Sequence, residues 1–294
     1  MANLALGTVQ FGLSYGVSNT QGQVCLNDVK EIIQVSKMNN IDTFDTASLY
    51  GESEKVLGAV LEPFNHRVVT KTPHICLNSV EHEIFRQIEN SCLSSLKNIG
   101  QSAVYGLLIH RAEDLLCEQG PVVWRAMKSL RSRGLVQKIG VSVYTPESLD
   151  MILDNYDIDL VQLPLNLFDQ RMIHSCVLKK AKKLGVEIHT RSVYLQGLLL
   201  MPQEKIPAYF NLHQNLLKRF HQKAQDLGFS AQQAALGFVM NQSDADYVVV
   251  GACNAKQWQE TITTSTTVLN VEDWYDIANE DTHLIDPSLW RIAA

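Results

Sequence analysis

Ile41-Asp42-Thr43-Phe44-Asp45-Thr46-Ala47-Ser48-Leu49-Tyr50-Gly51 is the stretch on which the reading of the fold turns. Its first four residues, β-branched and aromatic, predict a short strand. The run ends on a carboxylate, Asp45, and a phenol, Tyr50, follows five residues later. Gly51-Glu52-Ser53 turns the chain, and 54–61 has helical spacing with Val56, Leu57 and Val60 on one face. Taken alone, Asp45 could cap a turn and Tyr50 could pack on a core. A buried strand that ends in charge, however, places a polar group where apolar packing stops.

The same unit recurs outward from this stretch. Residues 4–7 read as a strand leading into Thr8-Val9-Gln10-Phe11-Gly12, a Gly-bounded loop that is neither a phosphate loop nor a dinucleotide fingerprint. Residues 67–70 form a strand ending on Lys71, 103–109 one ending on His110, and 138–141 one ending on Ser142. Strand six, 160–163, carries Gln162; strand seven, 186–190, ends on Arg191; strand eight, 247–250, delivers Gly251. Helical periodicity lies between them. Asn27 caps a helix bearing Val29, Ile32 and Ile33, and Val80, Ile84, Ile88, Cys92 and Leu96 recur every fourth residue with Gly100 beyond. Pro146 starts a helix, 173–184 is one helix stopping at Gly185, and 230–240 is an additional helix after strand seven. A last barrel helix spans 254–264, and the tail from Val271 adds one more. Three helices close on Gly before the next strand, as left-handed caps do. Eight strand–helix units predict an α/β fold, a (β/α)8 TIM barrel with extra helices after strand seven and at the C-terminus. No Pro/Gly/Ser linker divides 1–294, so a single domain is expected.

Bulk properties exclude several classes. A net charge of −6 gives no electrostatic reason to seek nucleic acid or an anionic membrane. The densest basic run, Lys179-Lys180-Ala181-Lys182-Lys183, sits on the polar side of a helix and reads as a solvated face. No segment approaches the roughly 20 apolar residues of a membrane span. Met1-Ala2-Asn3-Leu4 lacks the basic-then-apolar pattern of an export signal, and six scattered Cys form no Cys-x-x-Cys pair. A cytoplasmic protein with reduced thiols is expected. No metal site is expected either, since His74 and His82 have no ligand set near them in sequence.

In a closed barrel the polar strand-end residues converge on one rim, although they span some two hundred positions. Among them Asp45, Tyr50, Lys71 and His110 form a chemical set. A phenol with a pKa of about 10 is a reluctant acid at neutral pH. An adjacent ammonium would stabilise its conjugate base, and an Asp beside the Lys would keep that Lys charged and oriented. His110 can donate to an oxygen on which charge develops. Such a set serves the addition of a hydride to a carbonyl carbon and a proton to its oxygen.

These residues resemble the aldo-keto reductases. The likeness runs from Leu6-Gly7-Thr8 with Phe11-Gly12, through Asp45-Thr46-Ala47 with Tyr50-Gly51 and Ser53-Glu54, to Lys71 and His110. It continues with Gly140-Val141-Ser142, Gln162 with Asn166, Gly197-Leu198-Leu199, and Gly251-Ala252 with Gln257 and Glu260. The resemblance implies a (β/α)8 barrel that binds NADP(H) across its rim without a Rossmann fold, NAD(H) not being excluded. Tyr50 is then the proton donor, supported by Lys71, Asp45 and His110, in the reduction of an aldehyde or ketone, sugar-like carbonyls included. It further implies that Ser142 and Gln162 hold the nicotinamide carboxamide. Amides around Gly197 and Leu198 would meet the pyrophosphate, and Thr8, Arg191, Gly251, Ala252, Gln257, Glu260 and Thr261 complete the cofactor contacts. Gln10 and Tyr15, on the loop after strand one, are candidates to face substrate.

Three positions depart from the family pattern. Val143 replaces an Asn after Ser142; Gly251 and Gln257 stand where many members place a Lys and an Arg on the 2′-phosphate; Arg191 stands where an aromatic commonly stacks on the nicotinamide. The alternative from another class is a cofactor-binding subunit that acts through a partner and turns over little. A barrel using Lys71 as a Schiff base is disfavoured, because that chemistry needs a neutral amine. Oligomeric state is not legible.

Overall fold

Short β-branched runs, too apolar to face water and too short to pair as hairpins across intervening helices, line up in parallel and close on themselves. The computed structural model describes residues 1–62, 66–76 and 78–292. The strands β1 Asn3–Gly7, β2 Thr43–Asp45, β3 Arg67–Lys71, β4 Val104–Ile109, β5 Val136–Ser142, β6 Leu160–Pro164, β7 Glu187–Arg191 and β8 Tyr247–Gly251 form a closed barrel in chain order. All pairs are parallel, and β8 returns to β1 with Gly7 opposite Gly251. The expected (β/α)8 barrel is the observed fold.

The helices are α1 Val9–Gly12, α2 Leu26–Met38, α3 Ser53–Val60, α4 Glu81–Ile99, α5 Gly120–Ser132, α6 Pro146–Asn155, α7 Arg171–His174, α8 Val177–Lys183, α9 Gln214–Asp226, α10 Ala231–Met240, α11 Ala255–Thr264 and α12 Thr282–Ile285. Several expectations shift here. The first long helix begins at Leu26, so Asn27 lies inside it and Cys25 stands at its N-cap without a side-chain bond. The single helix expected over 173–184 is two, because Cys176 takes a left-handed φ of 60° between α7 and α8. Three helices close on a left-handed Gly before the next strand, as expected: Gly100 before β4, Gly134 before β5 and Gly185 before β7; Gly228 does the same between α9 and α10. The tail folds into α12 and short 3-10 turns over Val271–Ile277 and Pro287–Leu289 rather than one helix. The lysine run is solvated as expected, with Lys180 paired to Asp150 and Asp154, and Lys182 to Asp246. Among the described residues no helix is long and apolar enough to cross a membrane.

Alternation with period two fills the barrel in layers. Along β3, β5, β7 and β8 the alternate residues are Arg67, Val69, Lys71; Lys138, Gly140, Ser142; Glu187, His189, Arg191; and Tyr247, Val249, Gly251. The N-terminal layer is polar: Glu187 accepts from Lys138 Nζ at 2.6 Å, Tyr105 Oη at 2.7 Å and His189 Nε2 at 2.8 Å, and Arg67 bonds the Tyr247 hydroxyl. An apolar middle follows, with Val69, Leu108 and Leu160 packed together and Ala5, Tyr247 and Val249 forming a second cluster. Above it the strand ends present Asp45, Lys71, Ser142, Gln162 and Arg191. The outer faces of the strands pack on the helices in one large core, pinned by bonds such as Trp258 Nε1 to Ser36 Oγ at 2.8 Å.

Candidate active site

Tyr50 reaches the rim because two glycines let the chain fold tightly beneath it. A Cβ at Gly12 would lie 1.8 Å from the Tyr50 carbonyl oxygen, and Gly51 takes φ 56° against the Gly12 carbonyl. The α1 turn is thus laid directly on the β2 loop. Thr8 and Ser53 lock this join: Thr8 Oγ1 bonds the Asp45 carbonyl at 2.9 Å and lies 2.8 Å from Ser53 Oγ. Thr8 lines the cavity described below, but its hydroxyl serves this scaffold.

Lys71 is 1% exposed and its three N–H groups are all engaged. Two reach Asp45 Oδ1 and Oδ2 at 2.8 Å each, and the third the Thr46 carbonyl at 2.9 Å. Gln162 Nε2 adds a bond to Asp45 Oδ1 at 2.6 Å. Burial pushes the Lys71 pKa down and the adjacent carboxylate opposes it. The ammonium lies 5.1 Å from the Tyr50 ring centroid. His110, one residue past β4, meets Tyr50 edge-on at 6.1 Å and stacks at 6.4 Å with His74. Its backbone N–H donates to Thr72 Oγ1 at 3.3 Å.

The electrostatics correct one expectation. Burial, then the Asp45 charge, raise the Tyr50 pKa above its ordinary value rather than lowering it. Lys71 and Asp45 together form a nearly neutral pair, so the ammonium does not act on the phenol as an isolated cation would. His110 is held at about 3 by burial and by the Lys71 charge, which leaves its imidazole neutral at physiological pH.

One cavity of about 580 Å³ joins these four residues to most of the expected binding residues. Gln10, Tyr15, Ser142, Gln162, Arg191, Gly197, Gly251, Gln257, Glu260 and Thr261 all line it, with the Gln10 amide lying against Gly251. Leu198 and Ala252 do not; both are buried in the core. The expectation that amides of the Gly197 loop face the pyrophosphate is also revised. That loop winds into a turn, in which Gly197 N donates to the Tyr194 carbonyl at 2.9 Å and Leu198 N to that of Leu195 at 3.0 Å. Ser18, from the loop after β1, lies against Gly197.

At the far end, Gln257 Oε1 accepts from Cys253 N at 2.9 Å, and Asn254 caps α11 through Gln257 N at 2.9 Å. Gln257 therefore helps to close a helix start. Lys256 is outside the cavity, 4.0 Å from Glu260 and largely exposed. Arg191 lies over the Tyr144 ring, 4.2 Å from its centroid, and donates to Ser192 Oγ at 3.2 Å and the Val143 carbonyl at 3.3 Å. Tyr144 is a site residue that strand reading passed over. The period-two alternation from Ser142 continues one step past the end of β5 and would have marked it.

The comparisons agree with this fold. Residues 3–280 match the model of the Aldo/keto reductase family. Aldo-keto reductase YhdN of Bacillus subtilis (strain 168) is 25% identical over 277 residues, covering 84% of this chain and 81% of its own. The fold superposes on aldo-keto reductase AKR11C1 from Bacillus halodurans with a TM-score of 0.74 and 17% identity, over 96% of this chain and 94% of that one. It superposes on the glycerol dehydrogenase AKR11B4 from Gluconobacter oxydans with a TM-score of 0.70 and 21% identity, over 93% and 89%. The chain belongs to the aldo/keto reductase family.

Proposed function

We propose that this chain is an NAD(P)H-dependent oxidoreductase that reduces a small aldehyde or ketone to an alcohol, with Tyr50 as proton donor. The observation that carries this reading is the placement of Tyr50 at the cavity wall between the Asp45–Lys71 pair and a neutral His110. Family membership supports an oxidoreductase acting on a carbonyl compound.

The cavity suits a nicotinamide cofactor. Gln162 Oε1 and Gln10 Oε1 are buried acceptors without a hydrogen-bond partner among the described residues, and a carboxamide NH2 would satisfy such an atom. Ser142 and Gln162 would hold that carboxamide, and Gly251, Gln257, Glu260 and Thr261 the distal end, with NADP(H) preferred and NAD(H) accepted. When bound, the cofactor supplies the hydride to the carbonyl carbon. Tyr50 gives its proton to the carbonyl oxygen as the alcohol forms and is reprotonated from solvent. Neutral His110 offers a ring N–H to the same oxygen without adding charge. Lys71 and Asp45 fix one wall of the site. With all three N–H groups engaged, Lys71 is poorly placed for Schiff-base chemistry. The donor-rich wall favours a hydroxylated, sugar-like carbonyl, and one structural relative is described as a glycerol dehydrogenase.

Tyr50→Phe tests the reading. Turnover of a panel of aldehydes, ketones and sugars with NADPH and NADH should fall by roughly 10²–10⁴-fold, with cofactor affinity nearly unchanged. Wild-type turnover in that variant would remove the proton-donor assignment.

A further inference from the structure

Resting on the reductase reading above, we propose that Arg191 is a specificity-determining residue that receives an anionic group, a carboxylate or a phosphate, carried by the carbonyl substrate. The first observation is a charge without a counterion. Among the described residues, the partly buried Arg131 pairs with Asp159 at 2.6 Å and Arg171 with Asp169 at 2.8 Å, but no carboxylate pairs with Arg191. A cation drawn out of bulk water without an ionic partner is costly to keep. The Tyr144 ring beneath it and two neutral oxygens at 3.2 and 3.3 Å offset only part of that cost.

The second observation is unused donor capacity. A guanidinium carries five N–H donors, and the two bonds to Ser192 and Val143 leave the rest free for an acceptor. The third is position. Arg191 lines the same cavity as Tyr50 and His110, and its charge acts on both of them and on Tyr15. The side chains around it, Tyr15, Tyr144 and Ser192, can all donate a hydrogen bond; Asp45 is paired with Lys71, and Asp286 acts on Arg191 through space without forming an ion pair with it. A cationic fork beside neutral donors matches a planar carboxylate or a phosphate.

Matched substrate pairs test this: 4-carboxybenzaldehyde against methyl 4-formylbenzoate, and glyceraldehyde 3-phosphate against glyceraldehyde. For the wild type, kcat/KM should favour the anionic member of at least one pair by about 10–100-fold, the size of a charge-assisted hydrogen bond. The pair that discriminates identifies carboxylate or phosphate. In Arg191→Leu that ratio should collapse towards one, Arg191→Lys should keep part of it, and Arg191→Gln carries the same expectation as Leu should the latter not fold. A wild-type ratio near one in both pairs, or a ratio surviving in the Leu and Gln variants, overturns the proposal. So does an effect of Arg191→Leu confined to cofactor affinity. Should neither member of either pair be reduced with NADPH or NADH, the reductase reading fails instead. Binding of benzoate and inorganic phosphate, followed by intrinsic fluorescence, then decides the anion site alone. Binding about 10-fold or more weaker in Arg191→Leu supports it, and equal or absent binding overturns it.

Discussion

Lys71 Nζ lies 2.8 Å from each carboxylate oxygen of Asp45, in a pair that is almost wholly buried and whose remaining hydrogen bonds go to the Thr46 carbonyl and to Gln162. Removing one partner strands the other. Asp45→Asn and Lys71→Met should each destabilise the fold by about 3–5 kcal/mol, whereas the double variant should recover much of that loss, because no uncompensated charge remains. Turnover should not recover: on the proposed function the four residues act as a unit, so all three variants should be similarly inactive. Urea unfolding beside kcat distinguishes the two. Additive destabilisation in the double variant would show that the pair does not act through mutual neutralisation.

His110 behaves differently with pH from an exposed histidine. Held at about 3 in the fold and near 6.5 when unfolded, it binds fewer protons folded than unfolded between those values. Stability should therefore rise with pH across that window, by at most about 1.4 kcal/mol per pH unit from this group, and fall as pH drops below 6.5. His110→Gln should flatten that part of the profile. The pH–rate profile should show no limb from His110 between pH 5 and 8, and a limb that vanishes in His110→Gln would contradict a neutral imidazole.

Cofactor discrimination should be shallow. Glu260 is a charged residue lining the distal cavity, Lys256 stands outside, and any side chain at Gly251 would meet Gln10, whose amide lies 2.5 Å from an added Cβ. Gln257→Arg should shift the NADPH-to-NADH affinity ratio towards NADPH by about 1.5–3 kcal/mol; the lost bond to Cys253 N acts on both cofactors alike and drops out of the ratio. Adding Glu260→Gln should shift it further, since that carboxylate repels a 2′-phosphate. Fluorescence titration with both cofactors reads the ratio, and no shift in either variant would place the phosphate elsewhere.

The barrel, and the meeting of Asp45, Tyr50, Lys71 and His110 at one cavity, are legible because they rest on local rules. Every strand but β1 carries β-branched residues, and Asp45, Lys71 and Ser142 stand at their strand ends as the last inward residue of a period-two pattern. What escaped depended on contacts between distant loops. Arg191 could be placed at the rim, but its seat on Tyr144 required the β5 and β7 loops to meet. The amides at Gly197 and Leu198 were expected to be free, yet a tight turn with Leu195 and Gln196 at positive φ engages them. Burial set the Tyr50 proton affinity against the expected sign, and burial depends on every packed neighbour rather than on spacing. His189, whose spacing gives no sign of a partner, is one corner of the polar network at the opposite end of the barrel.

That network supplies the last prediction. Glu187, at the N-terminal end of β7, accepts from Lys138, Tyr105 and His189, and these bonds outweigh burial to hold its carboxyl at about 2. A carboxylate depressed in the fold contributes stability that is present above its unfolded pKa near 4.5 and lost as pH falls through about 2. The shift corresponds to about 3 kcal/mol at neutral pH. Glu187→Gln should therefore destabilise the fold by about that much at pH 7 and by far less near pH 2, because the wild type has by then lost the contribution. Lys138, left partly buried without its partner, adds to the loss at neutral pH. Chemistry in such barrels belongs to the C-terminal rim, so kcat/KM of the folded variant at 25 °C should stay close to wild type. Thermal unfolding at pH 7 and pH 3 beside steady-state kinetics checks both halves. An unchanged pH dependence of stability would show that Glu187 is not the depressed carboxyl, and a large loss of kcat in the folded variant would couple the two ends of the barrel.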